Sequence, residues 1–306
     1  MATQDDEPDI DIGAQCGSPY ACGYTGYCWR HVPENSVFDI AKLLTSKKFA
    51  AYQNGVITFE DALTAGLKFT DKQLTQVLTE VNGLSPQIDT QAVQEFLGQI
   101  RYPLYLLDFE TFQQAIPQWD GVRPWMQIPF QYSLHIQASK GTEPEYREFL
   151  AQEGENPLLE VARQLRVDIP ADVCVMAYNM FFEQKCLRDL VRIVPEYAAH
   201  LMSIHDNMVD LMAPFAEGSY YARGFKGFYS IKVVLPTLCP GDPELDYHGL
   251  DIVHNGGEAM TIYQNLHQQT PERRAEVRKA LLAYCRLDTL AMVKILEKLY
   301  EAVERG

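Results

Sequence analysis

Hydrophobic positions between residues 34 and 98 recur at helical spacing. Apolar side chains stand three or four residues apart within 37–44 and again within 74–81, which is the pattern of short amphipathic helices. Asp71 occupies the place of an N-cap for the second of these helices. Residues 1–33 lack this periodicity and are acidic, then rich in Cys and Gly. The pattern therefore predicts a Cys-containing segment followed by a small helical region.

From residue 99 onward, short apolar runs alternate with helical stretches. A short apolar run bounded by polar residues is typical of a buried strand, and strand–helix alternation favours an α/β fold. The last helix has Thr270 as its predicted N-cap and Pro271 at its first position. We therefore predict a mixed sheet flanked by helices over 99–306. The predicted strands are 102–107, 128–137, 146–150 and 173–178, and the predicted helices are 181–193 and 270–304.

Composition places the chain among globular proteins with a sizeable core, since 47% of its 306 residues are hydrophobic and 11% are aromatic. The acidic N-terminus does not resemble a secretory signal, and no run of about eighteen apolar residues predicts a membrane span. We therefore expect a cytoplasmic protein with no membrane partner.

The net charge of −15 disfavours binding of nucleic acid by the general surface, although bound divalent cations would offset several carboxylates locally.

One pair of carboxylates lies in the first predicted strand region, in the sequence Leu-Asp-Phe-Glu-Thr at 107–111. Side chains two residues apart on a strand point to the same face, so Asp108 and Glu110 are expected to project together. Adjacent carboxylates repel unless a cation lies between them, and oxygen ligands of this kind favour Mg²⁺ or Mn²⁺. The simpler interpretation is a strand that ends in polar residues.

Two further motifs lie on predicted helices. Asn179 stands where a strand passes into a helix, with Glu183 one turn later; an ordinary capped helix with a solvated Glu explains this equally well. Tyr284 and Asp288 share one face of an apolar helix. An Asp in such surroundings is costly unless it is paired or binds metal, although a hydrogen bond from the Tyr hydroxyl would also satisfy it.

In this order, the three motifs resemble those of the DEDD superfamily of 3′–5′ exonucleases, in the subgroup with Tyr in the last motif. The resemblance implies an RNase H-like fold and phosphodiester hydrolysis with two Mg²⁺ or Mn²⁺ ions. It implies that the metal ligands are Asp108, Glu110, Glu183 and Asp288 and that Tyr284 orients the attacking water. The family usually has Asp where this chain has Glu183, and the extra methylene could reposition one ion.

A closer resemblance is to an uncharacterised bacterial family of such domains, and it covers roughly residues 100–300. The shared stretches here are LDFET, IPFQYSLHI, YN-x-x-FE and SIK-x-VLP, at 107–111, 128–136, 178–183 and 230–236. In that family a RecB-like nuclease domain often precedes the exonuclease-like domain. The resemblance therefore implies a RecB-like nuclease partner, in the same chain or in another one.

Candidate substrate residues include Asn179 and three basic positions. The stretch 220–226 mixes aromatic and basic side chains, including Arg223 and Lys226, and Lys232 follows shortly after. Such side chains could stack on bases and contact the phosphates of DNA or RNA. The alternative is a surface loop with a normal share of aromatic residues.

The N-terminal segment carries Cys16, Cys22 and Cys28, each separated by five residues. A Gly- and Tyr-rich segment with little core of its own suggests that a bound metal stabilises it. The group resembles the C-terminal cysteines of RecB-like iron–sulfur nucleases, in which a fourth Cys lies far upstream. Here the upstream Cys is lacking, so the alternatives are part of a longer protein, a lost cluster, a Cys₃His zinc site completed by His31, or three free thiols.

Three functions are therefore open on sequence grounds. The first is a metal-dependent nuclease of the 3′–5′ exonuclease kind. The second is a catalytically silent RNase H-like module that binds nucleic acid or a partner nuclease, which the acidic charge and Glu183 favour. The third is a zinc- or iron–sulfur-dependent interaction protein whose N-terminal segment carries the function. Metal bound between Asp108 and Asp288 would separate the first from the other two.

Overall fold

The computed structural model describes residues 9–245 and 252–305. These residues form two compact units. The first comprises 9–87 together with 221–228, and the second comprises 88–220 and the described residues from 229 to 305. The division differs from the predicted boundaries, because 88–98 belongs to the second unit and 221–228 to the first. Residues 1–8 of the predicted Cys-containing segment lie outside the described residues.

The first unit is built from short helices around a small apolar core. The helices are α1 (Thr25–Cys28), α2 (Thr45–Gln53), α3 (Phe59–Thr64) and α4 (Asp71–Val81), with short 3₁₀ turns at Ala14–Cys16, Val37–Asp39 and Arg223–Phe225. The side chains buried in the core are Val37, Ile40, Leu43, Ala51, Phe59, Ala62 and Val77. The predicted helix over 74–81 is confirmed, since these residues lie within α4. The predicted helix over 37–44 is wrong: a 3₁₀ turn ends at Asp39, Lys42 takes a left-handed conformation with φ +55°, and α2 begins only at Thr45.

Capping and buried amides fix helix α4 in ways that the apolar pattern did not indicate. Thr70, and not the predicted Asp71, caps the helix by accepting a hydrogen bond from the backbone N–H of Gln73. The buried face includes Gln73 and Gln76. Gln76 accepts a hydrogen bond from the backbone N–H of Ala41 at 2.9 Å and donates one to the carbonyl of Asp39 at 2.9 Å. Side-chain amides thus satisfy the backbone polar groups of a neighbouring loop.

The second unit carries a five-stranded mixed sheet, built from β2 (Leu104–Phe112), β3 (Ile128–Gln137), β4 (Glu145–Leu150), β5 (Cys174–Ala177) and β6 (Met208–Asp210). Its strands follow the order β4-β3-β2-β5-β6, in which β2 pairs antiparallel with β3 and parallel with β5. Strand β3 pairs antiparallel with β4, and β5 pairs parallel with β6. Two further strands of two residues each, β1 (Gln87–Ile88) and β7 (Tyr220–Tyr221), lie where the chain passes from one unit to the other.

Helices flank this sheet and share its core. The helices are α5 (Thr90–Leu97), α6 (Leu158–Asp168), α7 (Met180–Ile193), α8 (Ala198–Asp206), α9 (Ala213–Glu217), α10 (Ile231–Leu238), α11 (Gly256–Asn265) and α12 (Pro271–Arg305). Thr270 caps α12 as predicted, since its hydroxyl accepts a hydrogen bond from the backbone N–H of Arg273 at 3.3 Å. The predicted α/β fold with a mixed sheet flanked by helices is confirmed. None of the helices within 9–245 and 252–305 is long and apolar enough to cross a membrane.

Gly227 packs closely against residues of the first unit, so a substitution at this position tests the assignment of 221–228 to that unit. Its φ is +78°, and a Cβ at this position would lie 2.5 Å from the Cβ of Ala41 and 2.8 Å from Nε2 of Gln76. We expect Gly227→Ala to lower the free energy of unfolding of the first unit, because a positive φ costs about 1–2 kcal/mol and overpacking adds about 1–3 kcal/mol. Urea unfolding of the full chain measures the loss.

Gly55→Ala is the matched control for this measurement. Its φ is +75°, and a Cβ there would meet nothing within 4 Å, so only the backbone cost remains. If the two variants lose equal stability, the close packing of Gly227 against Ala41 and Gln76 is wrong.

Candidate metal centre

Strand β2 and helix α12 bring three carboxylates together. One oxygen from each of Asp108, Glu110 and Asp288 lies within 4.8 Å of the other two. Glu110 and Asp288 are both only 8% exposed, and Asp108 is half-buried. This is the one group of three or more possible His, Cys, Asp or Glu ligands among the described residues. Three of the four predicted metal ligands therefore meet at one place.

The electrostatics of the group show that its carboxyl groups resist ionisation when no cation is bound. Burial, followed by the charges of Asp288, Glu183 and Glu110, raises the pKa of Asp108 well above its usual range. Burial and the charge of Asp288 raise the pKa of Glu110 to about 8, while Lys232 acts in the opposite direction. Desolvation and like charges both disfavour the ionised carboxylate. A cation among these oxygens would remove most of that penalty.

Glu183, the fourth predicted ligand, lies near this group but outside the set of three. It stands in the first turn of α7 and is 3% exposed. Its Oε2 atom is buried and accepts no hydrogen bond from the described residues. Burial, followed by the charges of Asp210 and Glu110, raises its pKa to about 8. A buried carboxylate oxygen without a partner is rare in folded proteins, and a cation would satisfy it.

Asp210 is a further acidic residue that sequence reasoning missed. It ends strand β6 and accepts hydrogen bonds from the backbone N–H groups of Asn179 at 2.9 Å and Met212 at 3.0 Å. Its charge acts on Glu183, so it adds to the negative charge around the site. The signal in the sequence was an Asp within the apolar run 208–212, where a short buried strand could have been expected.

Asn179 positions the start of α7 through its backbone. It has the left-handed conformation, with φ +68°, and its side chain makes no cap hydrogen bond, so the predicted side-chain cap is wrong. Its backbone N–H instead donates to Asp210. The exposed side chain is left to contact a ligand, as the predicted substrate role requires.

Tyr284 lies one helical turn before Asp288 and is 3% exposed. Its hydroxyl oxygen accepts a hydrogen bond from Nζ of Lys232 at 3.1 Å. Burial, followed by the charges of Asp288, Glu110 and Asp108, raises the pKa of Tyr284 far above the ordinary value for tyrosine. The phenol therefore stays protonated beside the carboxylates. Lys232, predicted to bind substrate, in this structure holds the Tyr284 hydroxyl.

Three polar side chains of β3 hold α12 in register with the sheet. Gln131 donates to the carbonyl of Leu281 at 2.8 Å, and Ser133 donates to the carbonyl of Cys285 at 2.7 Å. His135 bonds the hydroxyl of Thr289 at 2.8 Å. Alternate residues of the strand thus bond positions four apart on the helix.

This spacing works because two residues of a strand rise about 6.6 Å and four residues of a helix rise about 6 Å. The same strand pairs Ser133 with Asp108 and Gln131 with Glu110. The three bonds, which we call the β3–α12 ladder, therefore fix Asp288 opposite the carboxylates of β2. They also give the stretch 128–136, singled out by resemblance, a physical role.

The remaining predicted residues belong to the first unit. Arg223 pairs with Glu80 at 3.5 Å and Lys226 with Glu34 at 3.9 Å. Both basic side chains are more than half exposed. The predicted substrate role of Arg223 and Lys226 stays a prediction.

The three N-terminal cysteines are free thiols, with Cys22 exposed and Cys16 and Cys28 partly exposed. They do not form part of a group of three ligands among the described residues. His31 instead hydrogen-bonds the hydroxyl of Tyr52 at 2.8 Å. The structure thus does not gather the cysteines and His31 around one ion, and a metal at this segment stays a prediction.

Removing the charge of Glu183 should change how stability depends on pH. In metal-free protein, the folded state keeps protons on Glu110 and Glu183 up to about pH 8, whereas the unfolded chain releases them near pH 4.3. Their contribution to stability is therefore complete below about pH 4.3 and is lost as the pH rises to about 8. We expect Glu183→Gln to raise the melting temperature at pH 8.5 by several degrees and at pH 5 by much less.

Melting curves of parent and variant in EDTA, compared across pH, measure this difference. Glu196→Gln, at an exposed position, is the matched control and should follow the parent. A Glu183→Gln variant that also follows the parent would show that Glu183 is not buried beside other carboxylates.

The β3–α12 ladder predicts a cost for removing one hydroxyl. Ser133→Ala deletes the hydrogen bonds to the Cys285 carbonyl and to the Thr289 hydroxyl and leaves both buried groups with one partner fewer. We expect the free energy of unfolding to fall by about 1–3 kcal/mol. Ser139→Ala, which changes an exposed Ser beyond the end of β3, should cost much less. Equal losses would contradict the ladder.

Comparison with known proteins gives one match. The model of the family described as "Domain of unknown function (DUF2779)" matches residues 105–230, which is less than half of the chain. The matched region contains Asp108, Glu110, Glu183 and Asp210 and ends before α12, which carries Tyr284 and Asp288. No curated protein and no solved structure matches the chain.

Proposed function

We propose that the chain is a metal-dependent nuclease that hydrolyses phosphodiester bonds, of the 3′–5′ exonuclease kind found in the DEDD superfamily. The observation that carries the proposal is the convergence of Asp108, Glu110 and Asp288, whose oxygens lie within 4.8 Å of one another. These residues come from a strand and a helix that are about 180 residues apart in the chain, at the positions implied by the motif resemblance.

The donor set fits Mg²⁺ or Mn²⁺. The converging atoms are carboxylate oxygens, which such hard cations prefer. Burial first, and then neighbouring carboxylates, raise the pKa of Glu110 and of Glu183 to about 8 in each case, and a bound cation would favour the ionised form of both groups. The unpartnered Oε2 of Glu183 offers a ligand beyond the group of three. Asp108, Glu110, Asp288 and Glu183 would thus hold two ions between them.

Bound at this place, divalent ions would supply an activated water and charge stabilisation for phosphodiester hydrolysis. The protein's own groups would position the reactants. The Tyr284 hydroxyl, held by Lys232 and protonated at neutral pH, would bond and orient the attacking water. Lys232 also brings positive charge to the carboxylate group, where it would help a phosphate anion to approach.

The proposed substrates are DNA or RNA, and the proposed place of action is the cytoplasm. A RecB-like nuclease, in the same chain or in another one, is the partner that the motif resemblance proposes. The second candidate is a catalytically silent module that binds nucleic acid or that partner. Glu183 in place of the family's usual Asp favours it, because the longer side chain lies outside the group of three carboxylates.

Two substitutions separate metal binding from catalysis. Asp108→Asn removes one of the three converging carboxylates and should abolish both Mn²⁺ binding and hydrolysis. Tyr284→Phe removes only the water-positioning hydroxyl, so hydrolysis should slow about 10²–10⁴-fold while Mn²⁺ affinity stays within a few-fold of the parent. Titration calorimetry with Mn²⁺ and cleavage of labelled single- and double-stranded DNA and RNA give the two readouts.

Asp120→Asn, at an exposed position, is the matched control, and each variant's melting temperature in EDTA is compared with that of the parent. A parent that binds Mn²⁺ but cleaves none of the four substrates would support the silent module. Cleavage by Asp108→Asn at the parent's rate would show that this site is not the active site.

A further inference from the structure

A cavity in the second unit lies beyond the end of β2. It has a volume of about 510 Å³, within the range of about 300–1,000 Å³ common for small-molecule pockets. Its walls come from the loop after β2, from residues 154–155, and from the end of α11 with the turn that follows. The carboxylate group described above does not line it.

Aromatic rings form one side of this cavity. Phe112, Trp119 and Tyr263 line it, with Phe112 5.7 Å from Tyr263 and 6.0 Å from Trp119 between ring centroids. Phe112 and Tyr263 are buried, whereas Trp119 is half-buried. Trp119 is thus the most accessible of these three rings, and an indole is a side chain on which a nucleobase can stack.

Side-chain amides supply most of the polar lining, from Gln114, Gln118, Gln264, Asn265 and Gln268. Gln114 uses its oxygen to accept from the backbone N–H of Gln118 at 3.2 Å, and Gln264 uses its nitrogen to donate to the Gln113 carbonyl at 2.7 Å. Among the described residues, no other side-chain hydrogen bond involves Gln114, Gln118 or Gln264. Gln114 and Gln264 therefore each keep one amide group for a ligand, and the Gln118 side chain keeps both. An amide can donate and accept at once, as the edge of a nucleobase does.

The charge of the lining argues against a phosphate. Among the described residues, neither Lys nor Arg lines the cavity; Glu155 contributes a carboxylate, and His267 is the one lining side chain that can become cationic. An anion would meet repulsion there, whereas a neutral heteroaromatic ring with several donors and acceptors would not. The lining chemistry thus selects a nucleobase over a phosphate group.

Two elements connect this cavity to the carboxylates. On β2, Phe112 follows Glu110 by two residues, or about 7 Å of strand. Helix α11 begins at Gly256, where a Cβ would lie 3.6 Å from Oε2 of Glu110, and its ten residues span about 15 Å before Asn265. At the 3.4 Å spacing of stacked nucleotides, this separation corresponds to roughly two to four nucleotides.

We propose that this cavity is a nucleobase-binding pocket that holds one base of the nucleic acid strand, stacked on Trp119 and bonded by Gln114, Gln118 and Gln264. The proposal rests on the proposed nuclease function, which supplies the strand. It deepens that function, because a base held a fixed number of nucleotides from the carboxylates would set which linkage is presented for cleavage.

The experiment is an abasic scan. Fluorescein-labelled single strands of DNA and of RNA carry phosphorothioate terminal linkages and one abasic nucleotide, placed in turn at each of the six positions nearest the 3′ end. Fluorescence anisotropy gives the Kd of each strand for the parent, for Trp119→Ala and for Gln118→Ala. Gln94→Ala, an exposed glutamine on α5, is the matched control.

For the parent and Gln94→Ala, we expect the abasic nucleotide to raise the Kd on the order of tenfold at one or two adjacent positions and little elsewhere. For Trp119→Ala and Gln118→Ala, this peak in Kd along the strand should flatten, and strands without an abasic nucleotide should bind these variants more weakly than they bind the parent. A flat profile for the parent, no measurable binding by the parent, or an unchanged peak in both variants would overturn the pocket.

Cleavage of unmodified strands with Mn²⁺ is measured in parallel to separate the two proposals. Cleavage with a flat abasic profile would reject the pocket and leave the nuclease standing. A peak without cleavage would support the pocket and reject the nuclease.

Discussion

Carboxylates that are buried close together repel one another, so the folded state needs a favourable interaction that offsets the free energy of this repulsion. In the second unit, Asp108, Glu110 and Asp288 approach within a distance at which one ion could bind all three. The charge of Glu183 acts on Asp108, and the charge of Asp210 acts on Glu183. Lys232 alone contributes an opposing cation to the pKa of Glu110. A divalent cation would stabilise this arrangement, because the carboxylates would coordinate the cation and its positive charge would offset their mutual repulsion.

What enforces the approach is the packing of a helix on a sheet. The β3–α12 ladder bonds the helix at Leu281, Cys285 and Thr289, so α12 cannot slide or rotate without breaking buried hydrogen bonds. His135 stays neutral within it, because burial lowers its pKa to about 4. The ladder therefore holds Asp288 against the repulsion of the β2 carboxylates, and the stability of the fold pre-organises the site.

Residues that follow a local rule were predictable from sequence. The two-residue period of a strand placed Asp108 and Glu110 together, and the cost of an acid in an apolar helix marked Asp288. Asp210 was missed because β6 has only three residues, too few for any period to show. The sequence also did not predict that Gly227 packs in the first unit or that side-chain amides gather around Trp119. Both features depend on contacts between residues far apart in the chain.

The central claim is that Asp108, Glu110 and Asp288 hold a divalent cation in the folded chain. Crystals grown with Mn²⁺ test it most directly, since anomalous scattering locates manganese without reference to any assumed ligand. The account predicts an anomalous peak about 2.0–2.3 Å from oxygens of these three carboxylates, with Glu183 on the same or a neighbouring ion. An ordered site without an anomalous peak at saturating Mn²⁺, or with a Lys ammonium among the carboxylates in its place, would contradict it.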